Sequence, residues 1–451
     1  MRLRRSTRSV SGLVALVSAV VASGSMAAGQ VPSTIAHGDS SLAGTTITEW
    51  ATPEGAHQAA TTLATYGKLA AQFKKQTGVT VKITVIPWED LLTKLTTAVA
   101  TGSGPDISET GCTWAGQLAR TGGFVPWTPA AYKAIGGESK FIPRVIAATG
   151  LPGQTPAELM LWVESYALYY NKILFKKAGI TSPPRTWAQF VADGKKLTNS
   201  KTGVWGTAVN LANVTGQETW DWIISQQYGG YYYNNSSKAT VNKAGNISSL
   251  EMYLNWMGTD HIMSPEDAEY NNSQADAQFG QGKVGMIFEQ GEDQLVADGM
   301  PAKDIGVALI PMRTINPPTS QAVMSHLDGV NIAIFKSSKH LAADYAWLKF
   351  LTDPLAQTTI AEAYGAVPST IAAARNPYFQ DNAEYSTWLT IQSKYAQPMP
   401  TQADSGTLEE AYAREVAQLF DEEATSGHVN QAQILSGLNS VESAALAREA
   451  S

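Results

Sequence analysis

The chain has 451 residues, 44% of them apolar and only 16% charged, with 38 Gly, 21 Pro and 12 Trp. That composition excludes a disordered chain and allows two or three domains. A formal charge of -7 argues against a nucleic-acid partner, and the single cysteine, Cys112, excludes an internal disulfide framework and a cysteine-built zinc cluster.

Residues 2–8 (RLRRSTR) carry four arginines and no acid, and residues 10–22 (VSGLVALVSAVVA) form a mostly apolar run followed by small residues. This order predicts a cleaved signal peptide over residues 1–28. The apolar run spans roughly 20 Å as a helix, short of the ~30 Å hydrocarbon core that an anchor must cross. Loss of the four arginines takes the formal charge from -7 to -11. No cysteine follows the run, so no lipid attachment is expected, and the protein is expected to be periplasmic or secreted. Residues 29–44 read as a flexible lead-in.

Thr45–Trp50 alternates as a short strand. Leu63, Tyr66, Leu69, Ala70 and Phe73 recur at helical spacing up to Gly78, a residue suited to a left-handed stop. Val79, Val81, Ile83 and Val85 alternate as a second strand ending at Pro87. Leu91, Leu92, Leu95 and Val99 return to helical spacing, Gly102–Pro105 breaks it, and Asp106-Ile107 opens a third strand. Such alternation predicts a parallel sheet covered by helices, with ligand beyond the carboxyl ends of the strands. Those ends are Trp50–Glu54, Ile86–Glu89 and Ser108–Trp114.

From about 165 to 310 the chain is helix-rich. Thr186 is placed to cap a helix carrying Trp187, Phe190, Val191 and Leu197, and Gly229–Ser237 reads as a loop. The stretch 339–451 is helical in pattern, interrupted at Pro354, Pro368, Pro377, Pro398 and Pro400.

Chemistry-bearing motifs are mostly missing. There is no P-loop, no nucleophile elbow and no dinucleotide fingerprint, and the six histidines are scattered. No metal, cofactor or catalytic residue is expected. The positive signal is aromatic: Trp88-Glu89-Asp90, Thr113-Trp114, Trp162-Val163-Glu164 and Gln217-Glu218-Thr219-Trp220 set indoles beside acids and amides. A sugar ring presents an apolar C–H face to such planes and a rim of hydroxyls to such acids. Any single Trp is more often core, and Trp187, Trp256 and Trp347 lie on helical apolar stripes, where a core role is expected.

A set of motifs then recurs in order: FKKQTGVTV at 73–81, GSGPDI at 102–107, GGFVP at 122–126, ALYYNK at 167–172, LFKKAGI at 174–180, PPRTWAQF at 183–190, FGQGKVGM at 279–286, DGVNIAI at 328–334, ADYAWLKFLTD at 343–353 and YGAVPS at 364–369. Over roughly residues 45–445 the chain resembles the family 1 extracellular solute-binding proteins of ATP-driven (ABC) importers, whose maltose-binding members are familiar. The resemblance implies a periplasmic-binding-protein-like α/β fold: two α/β lobes with a hinge and an interlobe ligand cleft. Lobe 1 is expected over 45–163 plus 313–366, and lobe 2 over 167–311 plus 368–449.

Carried across residue by residue, the resemblance implies ligand-binding roles for Trp50, Glu54, Trp88, Glu89, Thr113 and Trp114. It implies the same for Glu164, Gln217, Glu218, Trp220, Glu292, Asp328 and Gly329. Trp88, Trp114 and Trp220 would stack on pyranose faces, and the acids would accept hydroxyl hydrogen bonds. Asp106 and Asn171 are marks of the family with structural roles expected. The implied function is capture of a mono- or oligosaccharide by a monomer and delivery to a membrane permease, without catalysis. Two alternatives stand: a polyamine or other cationic ligand held in the same fold, and a secreted glycoside hydrolase using two of the carboxyls.

Overall fold

The computed structural model describes residues 42–449, apart from 56, 152, 235, 272, 401, 403 and 404. The expected leader at 1–28, and residues 29–41 of the lead-in, lie outside the described residues.

Strand β1 (Thr46–Ala51), a helix (Ala59–Thr77), β2 (Thr80–Val85), a second helix (Trp88–Thr101) and β3 (Ile107–Gly111) follow one another as the periodicity predicts. Gly78, with a φ of 77°, ends the first helix, and Gly102, with a φ of 65°, ends the second. A side chain at that left-handed φ is strained, so glycine is the natural stop. Asp106 ties this unit together. Its carboxylate accepts hydrogen bonds from the Thr48 amide and hydroxyl, each at 2.9 Å, and from the Ser338 hydroxyl at 2.9 Å.

The later strands are β4 (Leu159–Glu164), β5 (Ala167–Asn171), β6 (Trp205–Thr207), β7 (Val284–Glu289), β8 (Ile305–Ala308), β9 (Ser325–His326), β10 (Asp328–Ile334), β11 (Val367–Pro368) and β12 (Ala396–Gln397). They build a six-stranded sheet in the order β11-β4-β10-β3-β1-β2 and a four-stranded sheet in the order β6-β7-β5-β8. Each sheet is the centre of one lobe.

The all-parallel expectation holds only locally. β1 runs parallel to β2 and β3, but β10 is antiparallel to β3 and β4, and β11 is antiparallel to β4. In the smaller sheet β6 is parallel to β7, whereas β5 is antiparallel to β7 and β8. The reason is connectivity. β4 passes into β5 through Ser165 and Tyr166 alone, and β10 is entered from β8 of the other sheet. Neither link is a helix returning to its own sheet, so the rule that makes such units parallel does not reach these strands. The pair β9 and β12 lies on this second crossing. Arg144 braces the β12 end, donating to the carbonyls of Gln392 (2.7 Å), Ser393 (3.0 Å) and Ala396 (2.7 Å).

Local capping follows the chain. The Thr186 side chain accepts from the Gln189 amide at the start of Trp187–Leu197. Asn171 accepts from the amides of Ile173 (2.9 Å) and Leu174 (3.1 Å), the structural role expected of it. Pro354 and Pro377 each begin a helix, where a missing N–H costs nothing. Trp187, Trp256 and Trp347 are all buried in the cores of their lobes, as their helical stripes predict. No helix among the described residues is long and apolar enough to cross a membrane.

Candidate functional site

A cleft of about 370 Å³ opens where the two sheets face each other, within the size range of small-molecule sites. The carboxyl ends of β1, β2 and β3 converge on it, delivering Pro53 to Gly55, Trp88, and Gly111 to Trp114. The β1 loop is held from beneath. Thr52 donates its amide (2.5 Å) and hydroxyl (2.7 Å) to the buried Glu109, and the Thr62 hydroxyl donates to the Thr52 carbonyl (2.8 Å) while accepting from the Glu54 amide (2.9 Å). Glu164 ends β4 opposite Asp328, and Gly329 follows on β10. A Cβ on Gly329 would come within 1.9 Å of the Trp162 carbonyl, so the two strands approach too closely for any side chain there.

The opposite wall belongs to the smaller sheet and its helices. Ala208 to Asn210 follow β6; Gln217, Thr219 and Trp220 come from the helix Val214–Gln227; Asp276 comes from Gln274–Gly280; Phe288 to Gln290 close β7. Asn213 caps the first of these helices, accepting from the Gly216 amide at 3.2 Å.

Of the residues expected at the site, the cleft wall brings together Glu54, Trp88, Thr113, Trp114, Glu164, Gln217, Trp220 and Gly329. Trp50, Glu89 and Glu292 lie off that wall. Trp50 packs edge-on against Phe335, with centroids 6.4 Å apart. Its place in β1 puts it on the sheet face covered by the helix Trp88–Thr101, where it packs against the cluster of Ile86, Leu91, Leu95 and Phe335. Glu89 is exposed in the first turn of the helix Trp88–Thr101. Glu292 precedes a short helix, and its amide donates to Glu384 at 3.0 Å. The side chains of Glu218 and Asp328 lie outside the described residues.

The expected three-indole platform needs correction. Trp88 keeps part of its surface open and meets Trp114 edge to face at 5.7 Å. Trp114 is only 5% exposed and Trp220 only 4%. Trp220 already stacks on Phe288, with centroids 4.4 Å and planes 25° apart, and Trp187 stands edge-on beside it. Its ring is part of the lobe core, and it reaches the cleft by its margin. Gln217 is likewise buried, its amide donating to Asp221 and Tyr253 at 3.1 Å each.

Residues that the sequence reading passed over complete the wall: Tyr166, Asn210, Asp276, Glu289 and Gln294. Glu289 had a legible signal. It ends the apolar run of β7, a carboxyl end like those that mark the first wall.

The electrostatics of the cleft are one-sided. Among the described residues, no lysine, arginine or histidine lines it. Burial, then the charge of Glu164, pushes the Glu54 carboxyl well above the usual range. Burial, then the charge of Asp276, does the same to Glu289. Asp276 is raised by burial even though Asn210 donates to it at 3.1 Å. No group of three or more His, Cys, Asp or Glu among the described residues could hold a metal ion. The site offers aromatic surface, carboxyl oxygens and amides, which suits a polar, uncharged or cationic small molecule and repels an anion.

Residues 59–358 match the model of the bacterial extracellular solute-binding protein family. The chain is 26% identical over 365 residues to a Brucella abortus (strain 2308) protein named as a binding protein without a ligand, covering 78% of this chain and 85% of that one. It is 25% identical over 320 residues to the diacetylchitobiose binding protein DasA of Streptomyces coelicolor, covering 68% and 70%. Among solved structures it is similar to an ABC transporter solute-binding protein of Thermotoga lettingae bound with alpha-D-tagatose. That similarity has a TM-score of 0.75 at 19% identity, over 88% of this chain and 99% of the other.

Proposed function

Because this chain belongs to the bacterial extracellular solute-binding protein family, we propose that it captures a mono- or oligosaccharide between its two lobes and delivers it to the membrane permease of an ABC importer. The observation that carries this reading is the make-up of the cleft: a part-open indole at Trp88, flanked by carboxyls and amides from both walls, with no basic side chain among the described residues to hold an anion. An indole face covers the C–H side of a pyranose, and carboxyls and amides take its hydroxyls. The carbohydrates named for similar proteins support the same class of ligand.

On the same footing, the protein is exported by cleavage of its leader, acts as a monomer and breaks no bond. The lobes divide near residues 163–167, 311–313 and 366–368, with the segment before β10 serving as a hinge connection. Hinge closure on ligand is the motion such a division allows. A thermal-shift screen over saccharides tests the reading. A ligand at a hundred times its Kd adds about 2.7 kcal/mol of stability, and solution scattering then shows a more compact particle. A saccharide that is cleaved during the assay, or a panel that leaves the melting temperature unmoved, would overturn it.

A further inference from the structure

The chain passes from β4 to β5 through Ser165 and Tyr166 alone, and several elements meet on Tyr166. Its amide donates to the Ser325 hydroxyl at 3.0 Å, which ties the first crossing to β9 on the second. Its ring lies against His326 of β9, with centroids 5.8 Å and planes 36° apart, and against Trp220 of the helix Val214–Gln227, with centroids 5.9 Å apart. Ser325, His326 and Trp220 are all buried, so the backbone and ring of Tyr166 are held from three sides.

The hydroxyl is held far less firmly. It donates to the Gly216 carbonyl at 3.4 Å, beyond the roughly 2.5–3.0 Å of a full O–H···O bond. Gly216 is the third residue of its helix, where the carbonyl also takes the amide four residues on, so it does not depend on Tyr166. Both Tyr166 and Gly216 line the cleft. A sugar oxygen offered to the Tyr166 hydroxyl therefore exchanges a weak bond for a full one, and no buried group is stranded.

We propose that Tyr166 is the positioning residue through which a bound saccharide acts on the hinge: its hydroxyl passes from Gly216 to the sugar, and its ring, set against His326 and Trp220, carries the contact to the second crossing and the second lobe. Two segments stapled by the bond from Tyr166 to Ser325 twist together but do not slide past each other, which is hinge motion and not shear. A ligand closes the lobes only by as much as it binds the closed form better than the open one. A contact made where the chain crosses between the lobes is felt by both. The inference rests on the saccharide reading and the division into lobes above, and adds the residue that joins them.

Calorimetry and solution scattering on wild type, Tyr166→Phe and Tyr166→Leu test it, with maltose, cellobiose and diacetylchitobiose as probes and melting curves to report folding. Phe keeps the ring and removes the hydroxyl, so binding is expected to weaken about two- to tenfold while saturating sugar compacts the particle as in wild type. Leu removes the ring, and saturating sugar is expected to compact the particle less than in wild type. Should that variant fail to fold, Ser325→Ala, which removes the acceptor of the Tyr166 amide, takes its place with the same expectation. A Phe variant that binds as tightly as wild type, or a Leu or Ser325→Ala variant that compacts as fully, overturns the inference and leaves the saccharide reading standing. If none of the three sugars binds the wild-type protein, both fall.

Discussion

Raising the pH from about 5 to about 9 should weaken this fold, and Glu109 shows why. It is 0% exposed beneath the cleft floor and accepts from the Thr52 amide, the Thr52 hydroxyl and the Tyr66 hydroxyl. Burial outweighs those three bonds and pushes its carboxyl from 4.5 to about 7. Glu158, also 0% exposed, is pushed by burial to about 8 although Asn331 donates to it at 2.7 Å. Glu49, next to Glu109 in the same sheet, is raised by burial and then by the Glu109 charge. The sign follows directly. The folded state holds these protons more tightly than the unfolded chain, so their stabilisation is complete below the unfolded value near 4.5 and is lost as the pH climbs through 7 to 8. For Glu109 alone the displacement corresponds to roughly 3 kcal/mol. Denaturant unfolding of wild type and Glu109→Gln across that range is the assay. The variant starts less stable, because an amide cannot accept from all three donors. It lacks the titration, so the gap between the two curves should narrow by about 3 kcal/mol on going to alkaline pH. Parallel curves, or a wild-type protein that gains stability as the pH rises, would refute the reasoning.

Trp88→Ala should weaken saccharide binding about tenfold with little change in melting temperature, because the indole is part-open on the cleft wall. Trp220→Ala, by contrast, empties a core position stacked on Phe288 and should cost about 3–5 kcal/mol of stability; paired calorimetry and melts separate the two effects. Gln227→Leu removes an amide that donates to the Pro311 carbonyl (3.1 Å) and the Val323 carbonyl (2.8 Å) and accepts from the Trp187 indole (2.7 Å) and the Arg313 amide (3.1 Å). Those four groups are left without a partner, and chemical denaturation should show a loss of about 3 kcal/mol or more. Asp106→Asn replaces one carboxylate oxygen, the acceptor for either Thr48 or Ser338, with an N–H₂, and the same measurement should register a loss of about 1–3 kcal/mol.

Much of the first lobe is readable without any structure. The alternation of Val79, Val81, Ile83 and Val85, the helical stripe at Tyr66, Leu69 and Phe73 and the stops at Gly78 and Gly102 depend on neighbours a few residues away, whereas Leu63, expected on that stripe, is 50% exposed and Thr62 and Thr65 are buried in its place. The caps at Asn171 and Thr186 are equally local. Three strand ends were therefore legible as one edge, and with them Glu54, Trp88, Thr113 and Trp114. The resemblance carried by ordered motifs extended that reading across the second lobe.

What the chain order could not convey is which way each strand runs after a crossing, and which face of each side chain another element has already taken. β10 lies antiparallel between β3 and β4 because it arrives from the other sheet, a fact of topology and not of periodicity. Trp50 and Trp220 read alike as aromatic residues beside polar ones, yet Phe335 and Phe288 decide what surface each has left. Asp276 and Glu289 lie thirteen residues apart on a helix and a strand, and only their packing turns them into a carboxyl pair on the cleft wall. Local free energies along the backbone set the elements of this protein; contacts between residues distant in the chain set the charge and shape of what it holds.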